Sequence, residues 1–280
     1  MAAAVARRGP LCVGLDPHPA LLAGWGLPDT PAGLRSFSRT VLAAAGPVAA
    51  AIKPQVALFE RHGSAGFAVL EELLAEAASA GILTIADAKR GDIGSTMAAY
   101  ADAWLRDGSP LAADALTLSP YLGFGSLRPA LDLAAATGRG VFVLALTSNP
   151  EGAGVQHRGG ADSVAREIVR AAAAENAGTG ENPESAGAAG PGPGSVGLVV
   201  GATVGTALVD LGISLADLNG PILAPGLGAQ GATPADLRGT FGAAYPLVLA
   251  TSSRAILAAG PDPAALRSAA EAVAASLRVP

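Results

Sequence analysis

Two carboxylates and an ammonium fall within six positions at Asp87-Ala88-Lys89-Arg90-Gly91-Asp92, directly after the apolar run Gly81 to Ala86. Only 15% of the residues are charged, so opposed charges at this density are unusual for the chain. A strand through Leu83 and Ile85 has a side-chain period of two, which directs Asp87 and Lys89 to the same side. Asp92 lies past that strand, beside Gly91 and Gly94. A tight loop there either returns it to the same ammonium or carries it to a neighbouring subunit. Such a trio serves as a structural ion pair at a strand end, or as fixed charge presented to a ligand.

The elements that must position these groups are legible as a rhythm. Strand-like runs recur at Leu11 to Leu15, Ala49 to Lys53, Ile82 to Asp87, Ala113 to Leu118, Val141 to Leu146, Gly197 to Val200, Pro221 to Ala224 and Leu247 to Ala250. Alanine- and leucine-rich helical stretches separate them, with amphipathic spacing at Phe67, Leu70, Leu73 and Leu74, and at Met97, Ala98, Tyr100, Ala101 and Trp104. Thr233-Pro234 and Asp262-Pro263 each supply a cap followed by proline at the first helical position. Eight βα units in 280 residues point to one domain, a closed (β/α)8 TIM barrel, with an open doubly wound sheet as the alternative. Ala171 to Ser195, rich in small residues, Gly and Pro, breaks the rhythm and predicts a flexible low-complexity insert.

In such a barrel chemistry sits at the carboxyl ends of the strands. Strand one ends in Asp16, strand two in Lys53, and strand three in Asp87 and Lys89, so four charges of alternating sign meet at one mouth. Each keeps its neighbour ionised. Later strand ends are uncharged or suited to phosphate. Thr147-Ser148-Asn149-Pro150 offers groups that can read the edge of a planar ring. The glycine-rich Pro225 to Gly231 loop and Ser252-Ser253-Arg254 follow strands seven and eight, where backbone N–H groups and a guanidinium can hold a phosphate.

Composition narrows the remaining classes. A hydrophobic fraction of 50% with 4% aromatics gives a large core of Leu, Val, Ile and Ala, suited to helices on a parallel sheet. The net charge of -5 and pI near 5.2 argue against a nucleic-acid or membrane-surface partner. No signal peptide or membrane span is evident, which predicts a cytoplasmic protein. Three histidines and a single cysteine, Cys12, give zinc almost no ligands and leave Cys12 as a buried, inert thiol.

These motifs together resemble the orotidine 5′-phosphate decarboxylases, in their longer bacterial branch (type 2). The likeness runs nearly end to end, through Gly14-Leu15-Asp16-Pro17-His18-Pro19, Lys53-Pro54-Gln55, Asp87 to Thr96, Ser119 to Gly123, Thr147 to Pro150, the Pro225 to Gly231 loop and Ser253-Arg254. The resemblance implies a (β/α)8 homodimer with sites at the subunit interface. It also implies decarboxylation of orotidine 5′-phosphate to UMP in pyrimidine biosynthesis without metal or organic cofactor.

By the same resemblance Lys89 is the proton donor and Asp87 the carboxylate facing the substrate carboxylate. Lys53 bridges the array to the ribose, and Asp16 accepts a ribose hydroxyl. Asp92, Ile93 and Thr96 form the segment that the partner inserts. Ser148 reads the pyrimidine and Pro225 lies by it, while Gln230 and Arg254 hold the 5′-phosphate. Two departures from the compact branches stand out: Asn149 where those have a histidine, and the insert at 171–195. Two rival readings remain, a metal-dependent sugar-phosphate decarboxylase or aldolase on a related barrel, and a nucleotide-binding barrel that performs no reaction. Against the first, strand two ends in Lys53, which repels a divalent ion.

Overall fold

The apolar runs become eight parallel strands in a computed structural model that describes residues 1–178, 194–228 and 231–278. They are β1 (Leu11–Leu15), β2 (Ala51–Pro54), β3 (Leu83–Arg90), β4 (Ala115–Leu118), β5 (Gly140–Leu146), β6 (Val196–Val200), β7 (Ile222–Pro225) and β8 (Val248–Ser252). Neighbours in sequence pair throughout, and β1 pairs with β8, so the sheet closes in the order β1 to β8. This is the (β/α)8 barrel, and the open-sheet alternative falls.

Alternation along the strands sorts the core into two layers. Cys12, Ala51, Ile85, Ala115, Phe142, Val199, Leu223 and Leu249 form one buried cluster, drawn one residue from each strand. The intervening residues, such as Val13, Ile52, Ala86, Leu116 and Val143, pack outward with the helices in a second cluster. The short helix Ala2–Arg8 joins the inner cluster through Ala4, with Met1 and Val5 packed against it. Leu70, Leu73 and Leu74 are buried on the helix Gly63–Ser79, and Met97, Ala101 and Trp104 on the helix Gly94–Leu105, whereas Ala98 faces out. Both expected proline starts are capped. Thr233 Oγ1 accepts from the Asp236 N–H within a full capping box, and Asp262 accepts from the Ala264 N–H.

β3 and β4 matter most for the site, and they are pinned at both ends. At the entry, Asp114 Oδ2 accepts from the backbone N–H of Thr84 at 2.7 Å. At the exit the register shifts between Ala86 and Arg90, and β3 runs three residues past its expected end at Asp87. Gly91 permits this, because a Cβ there would lie 2.2 Å from the carbonyl oxygen of Ser119.

The expectation that 171–195 forms an insert that does not pack is corrected at its start. Ala171 to Asn176 is the end of the helix Val164–Asn176, with Ala172 fully buried. Glu175 receives both guanidinium nitrogens of Arg128 at 2.7 Å. Asn176 donates to the carbonyls of Val196 and Leu218 at 2.8 Å and accepts from the Val196 N–H at 3.1 Å. Composition misleads here because the helix-forming alanines run directly into Gly- and Pro-rich chain, and a window over both reads as filler. Residues 179–193 of that segment lie outside the described residues.

Candidate active site

β3 delivers Asp87 to the mouth of the barrel, where its carboxylate is buried and takes four donors. Lys53 Nζ from β2 lies 2.7 Å from Oδ2, and Gln55 Nε2 lies 3.0 Å from the same oxygen. Lys89 Nζ lies 2.5 Å from Oδ1, and the Thr117 hydroxyl of β4 donates to that oxygen at 3.1 Å. Burial alone raises the pKa of this carboxyl, but the ammoniums of Lys53 and Lys89 outweigh it and hold Asp87 well below the usual carboxylate range. Burial likewise opposes the charge on Lys53, and the fields of Asp87 and Asp16 override it, raising the lysine above its ordinary value. Asp87 and Lys53 are therefore both ionised throughout the physiological range. Lys89 differs from Lys53 in access, with 45% of its side chain exposed against 7%.

Lys89 also carries positive φ, +49°, an uncommon backbone state for a residue with a side chain. Its N–H donates to Thr117 Oγ1 at 2.9 Å. Its neighbour Arg90 turns outward, where the guanidinium lies 5.6 Å from the Tyr100 ring centroid and 5.9 Å from that of Trp104, and pairs with Glu60 at 3.2 Å. Of the two cations in the motif, one faces the mouth and one binds the barrel to its helix.

The structure brings Lys53, Asp87 and Lys89 together as the sequence implies, with Asp16 close enough to act on Lys53. Asp16 Oδ1 is buried and has no hydrogen-bond partner among the described residues, so it is free to accept one. Gly14 makes room beside it: a Cβ there would stand 2.8 Å from Ser253 Cβ and 3.1 Å from Asp16 Oδ2. Asp92 is not brought to Lys89 within the chain. Its Oδ1 accepts from the Ile93 N–H at 2.8 Å, and Ile93 is 61% exposed and Thr96 exposed. Of the two courses open to Asp92, the return to its own ammonium is thus not taken.

Ser148 is exposed at the end of β5, beside Gly201, whose Cβ would lie 3.4 Å from Ser148 Cβ. Pro225 closes β7, and Gly226, Gly228 and Gly231 all take positive φ in the turn that follows. Arg254 is exposed at the start of the helix Arg254–Leu257. The glycine turn lies against that helix, since a Cβ on Gly228 would meet Ala255 Cβ at 3.1 Å. Gln230 lies outside the described residues.

Two residues of the array were given no role by the sequence, Gln55, which appears only within the Lys53-Pro54-Gln55 motif, and Thr117. The signal was present: Gln55 follows Lys53 and Thr117 follows Ala115 at the strand period, so both face inward. A third, Gln156, accepts from the Thr147 N–H and donates to Thr147 Oγ1, both at 2.8 Å, and so braces the loop that carries Ser148. Cys12 is buried as expected, and burial pushes its thiol up to about 12.

Fold and site together define a (β/α)8-barrel protein with a lysine–aspartate–lysine array at the carboxyl ends of its strands, where barrels of this architecture carry their reactive groups. Comparison with known proteins is specific. The family profile described as "Orotidine 5'-phosphate decarboxylase / HUMPS family" matches residues 9–269. Orotidine 5′-phosphate decarboxylases of Salinispora arenicola and Streptomyces coelicolor are each 57% identical, covering 98% of this chain and 94% of theirs. A crystal structure of a Streptomyces avermitilis relative, also 57% identical, superposes with a TM-score of 0.90 over 99% of this chain and 92% of its own. Leishmania donovani OMP decarboxylase, at 32% identity, gives 0.73 over 99% and 95%. The chain belongs to the orotidine 5′-phosphate decarboxylase / HUMPS family.

Proposed function

We propose that this protein decarboxylates orotidine 5′-phosphate to UMP, a step of pyrimidine biosynthesis, with its own side chains as the only catalysts. The observation that carries the reading is the Lys53–Asp87–Lys89 array at the barrel mouth, on a chain 57% identical to orotidine 5′-phosphate decarboxylases over nearly its whole length.

The chemistry follows from charge. Loss of CO2 breaks the C6–carboxylate bond and leaves its electron pair on C6, in the plane of the ring, where no π system spreads it. The Lys89 ammonium stabilises that pair as it forms and then transfers a proton to C6, giving UMP and a neutral amine that solvent reprotonates. Asp87 faces the departing carboxylate and fixes the ammonium. Four donors keep it ionised and in place, so the field is organised before substrate arrives.

Remote groups supply binding energy that orients the ring and excludes water. Asp16 accepts a ribose hydroxyl and Lys53 reaches from the array to the ribose. Ser148 reads the pyrimidine edge beside Pro225, and Gln230 with Arg254 holds the 5′-phosphate. Asp92, Ile93 and Thr96 act in the site of a second copy. The exposure of Ile93 and Thr96, and the bond of Asp92 to the Ile93 N–H and not to its own Lys89, support a homodimer of single-domain chains with sites at the interface. A net charge of -5 and no helix among the described residues long and apolar enough to cross a membrane are consistent with work in the cytoplasm.

The test is decarboxylation of orotidine 5′-phosphate followed by ultraviolet absorbance, with EDTA present. Turnover that survives chelation is expected. Turnover only with added Mg2+ selects the metal-dependent rival, although Lys53 occupies Oδ2 of Asp87, where a cation would sit. Binding without turnover selects a nucleotide-binding barrel.

A further inference from the structure

Thr117 stands between the two groups on which the array depends. It is 1% exposed on β4, and its hydroxyl has one hydrogen to give. Asp87 is ionised and can only accept, so the hydroxyl hydrogen points to Oδ1 at 3.1 Å. The Lys89 N–H can only donate, and it enters the lone pairs of the same oxygen at 2.9 Å. One hydroxyl therefore links the main chain of Lys89 to the side chain of Asp87. The carbonyl of Ala86, at 3.5 Å, is the more distant alternative acceptor.

The backbone makes this link consequential. Lys89 sits at φ +49° where β3 shifts register against β4. A side-chain-bearing residue holds that state only when its surroundings fix it. There the Lys89 N–H finds its partner in a side chain of β4 instead of a ladder carbonyl. Thr is stiff about χ1 because it is branched at Cβ, so the hydroxyl itself is held in direction.

We propose that Thr117 is a positioning residue for decarboxylation: its hydroxyl sets the main-chain conformation that launches Lys89 and the rotation of Asp87 that receives it. The inference rests on the decarboxylase reading. Thr117 touches neither substrate nor the reacting carbon, and it acts through the aim of the ammonium.

The experiment compares wild type, Thr117→Val and Thr117→Ser for kcat, KM and melting temperature. Thr117→Val keeps shape and removes both hydrogen bonds. Its kcat is expected to fall at least about tenfold, equivalent to about 1.4 kcal/mol, with KM held within about threefold, because ribose and phosphate contacts are untouched. Thr117→Ser keeps the hydroxyl and is expected to retain kcat within about threefold of wild type. A purely structural threonine would instead lower the melting temperature and leave kcat intact below it. The inference is overturned if folded Thr117→Val has wild-type kcat, or if Thr117→Ser loses as much as Thr117→Val. Should Thr117→Val not fold, Thr117→Cys, a weak hydrogen bonder, takes its place against Thr117→Ser under the same criteria. A wild-type protein inert toward orotidine 5′-phosphate defeats the functional reading, and this inference with it.

Discussion

The ammonium of Lys53 and the carboxylate of Asp87 meet at 2.7 Å inside the barrel mouth, both buried and both ionised. Two isolated charges would not survive that burial. Each persists because the other offsets its loss of water, and because Gln55, Lys89 and Thr117 fill the remaining lone pairs of the carboxylate.

The pH dependence of stability follows from the two shifts. Asp87 is depressed, so its contribution is complete above the ordinary aspartate pKa of about 3.9 and is lost as pH falls through the lower folded value. Lys53 is raised, so its contribution is complete below about 10.4 and is lost only as pH rises through the higher folded value. Urea denaturation is expected to show the pair's contribution unchanged between these limits, with Asp87 adding to the acid limb. Asp87→Asn is expected to remove that part of the acid limb and to cost about 3–5 kcal/mol at neutral pH, since it leaves buried Lys53 without its counter-charge. An acid limb identical in wild type and Asp87→Asn would contradict the assignment.

On the proposed mechanism, replacing Lys89 removes a proton donor and a charge stabiliser together. Those effects are worth about 10²–10⁴ and about 10²–10³ in rate, so Lys89→Ala is expected to lose roughly 10⁴-fold or more in kcat while remaining folded. Near wild-type turnover would strip Lys89 of its role.

Sharing of the site between subunits is testable by complementation. In a hybrid of Lys89→Ala and Asp92→Ala chains, one site draws its lysine and its Asp92 from intact positions. An equal mixture of the two inactive variants is expected to regain up to about one quarter of wild-type activity, as half the dimers are hybrid and each has one intact site of two. Verified hybrids with no recovery would place Asp92 outside the partner's site.

Arg254 is proposed to meet the phosphate, far from the bond that breaks. Arg254→Ala is expected to lower kcat/KM by a factor equivalent to about 2–4 kcal/mol, the range for a charge-assisted contact, and to weaken phosphate-dependent binding in parallel. An unchanged kcat/KM would take Arg254 out of the site.

Asn176 predicts a stability effect remote from the mouth. It satisfies three backbone groups of Val196 and Leu218, and Gly194 and Gly220 lie so close to its amide that a Cβ on either would stand 2.1 Å or 2.5 Å from it. Asn176→Ala is expected to cost about 2–4 kcal/mol in chemical denaturation, through unpaired buried polar groups, with kcat unchanged below the transition. A loss under about 0.5 kcal/mol, the scale of an ordinary surface change, would mean that Asn176 is not the anchor of this junction.

By itself the amino-acid sequence determined the eight strands, because burial on both faces of a parallel sheet imposes short apolar runs, and the side-chain period of two along a strand put Asp87 and Lys89 on one side. That period was enough to place Asp87 and Lys89 together, and Lys53 across from them. Tertiary structure alone decided what the alternation leaves open. The register shift in β3, the left-handed turn at Lys89 and the docking of Thr117 arise from how β3 meets β4, a contact between residues 28 to 31 apart in the chain. Likewise Ala171 to Asn176 looked like the start of a low-complexity insert until Arg128, Val196 and Leu218 supplied partners for Glu175 and Asn176: the alanines favour helix, but the Gly- and Pro-rich chain that follows them hides where that helix ends.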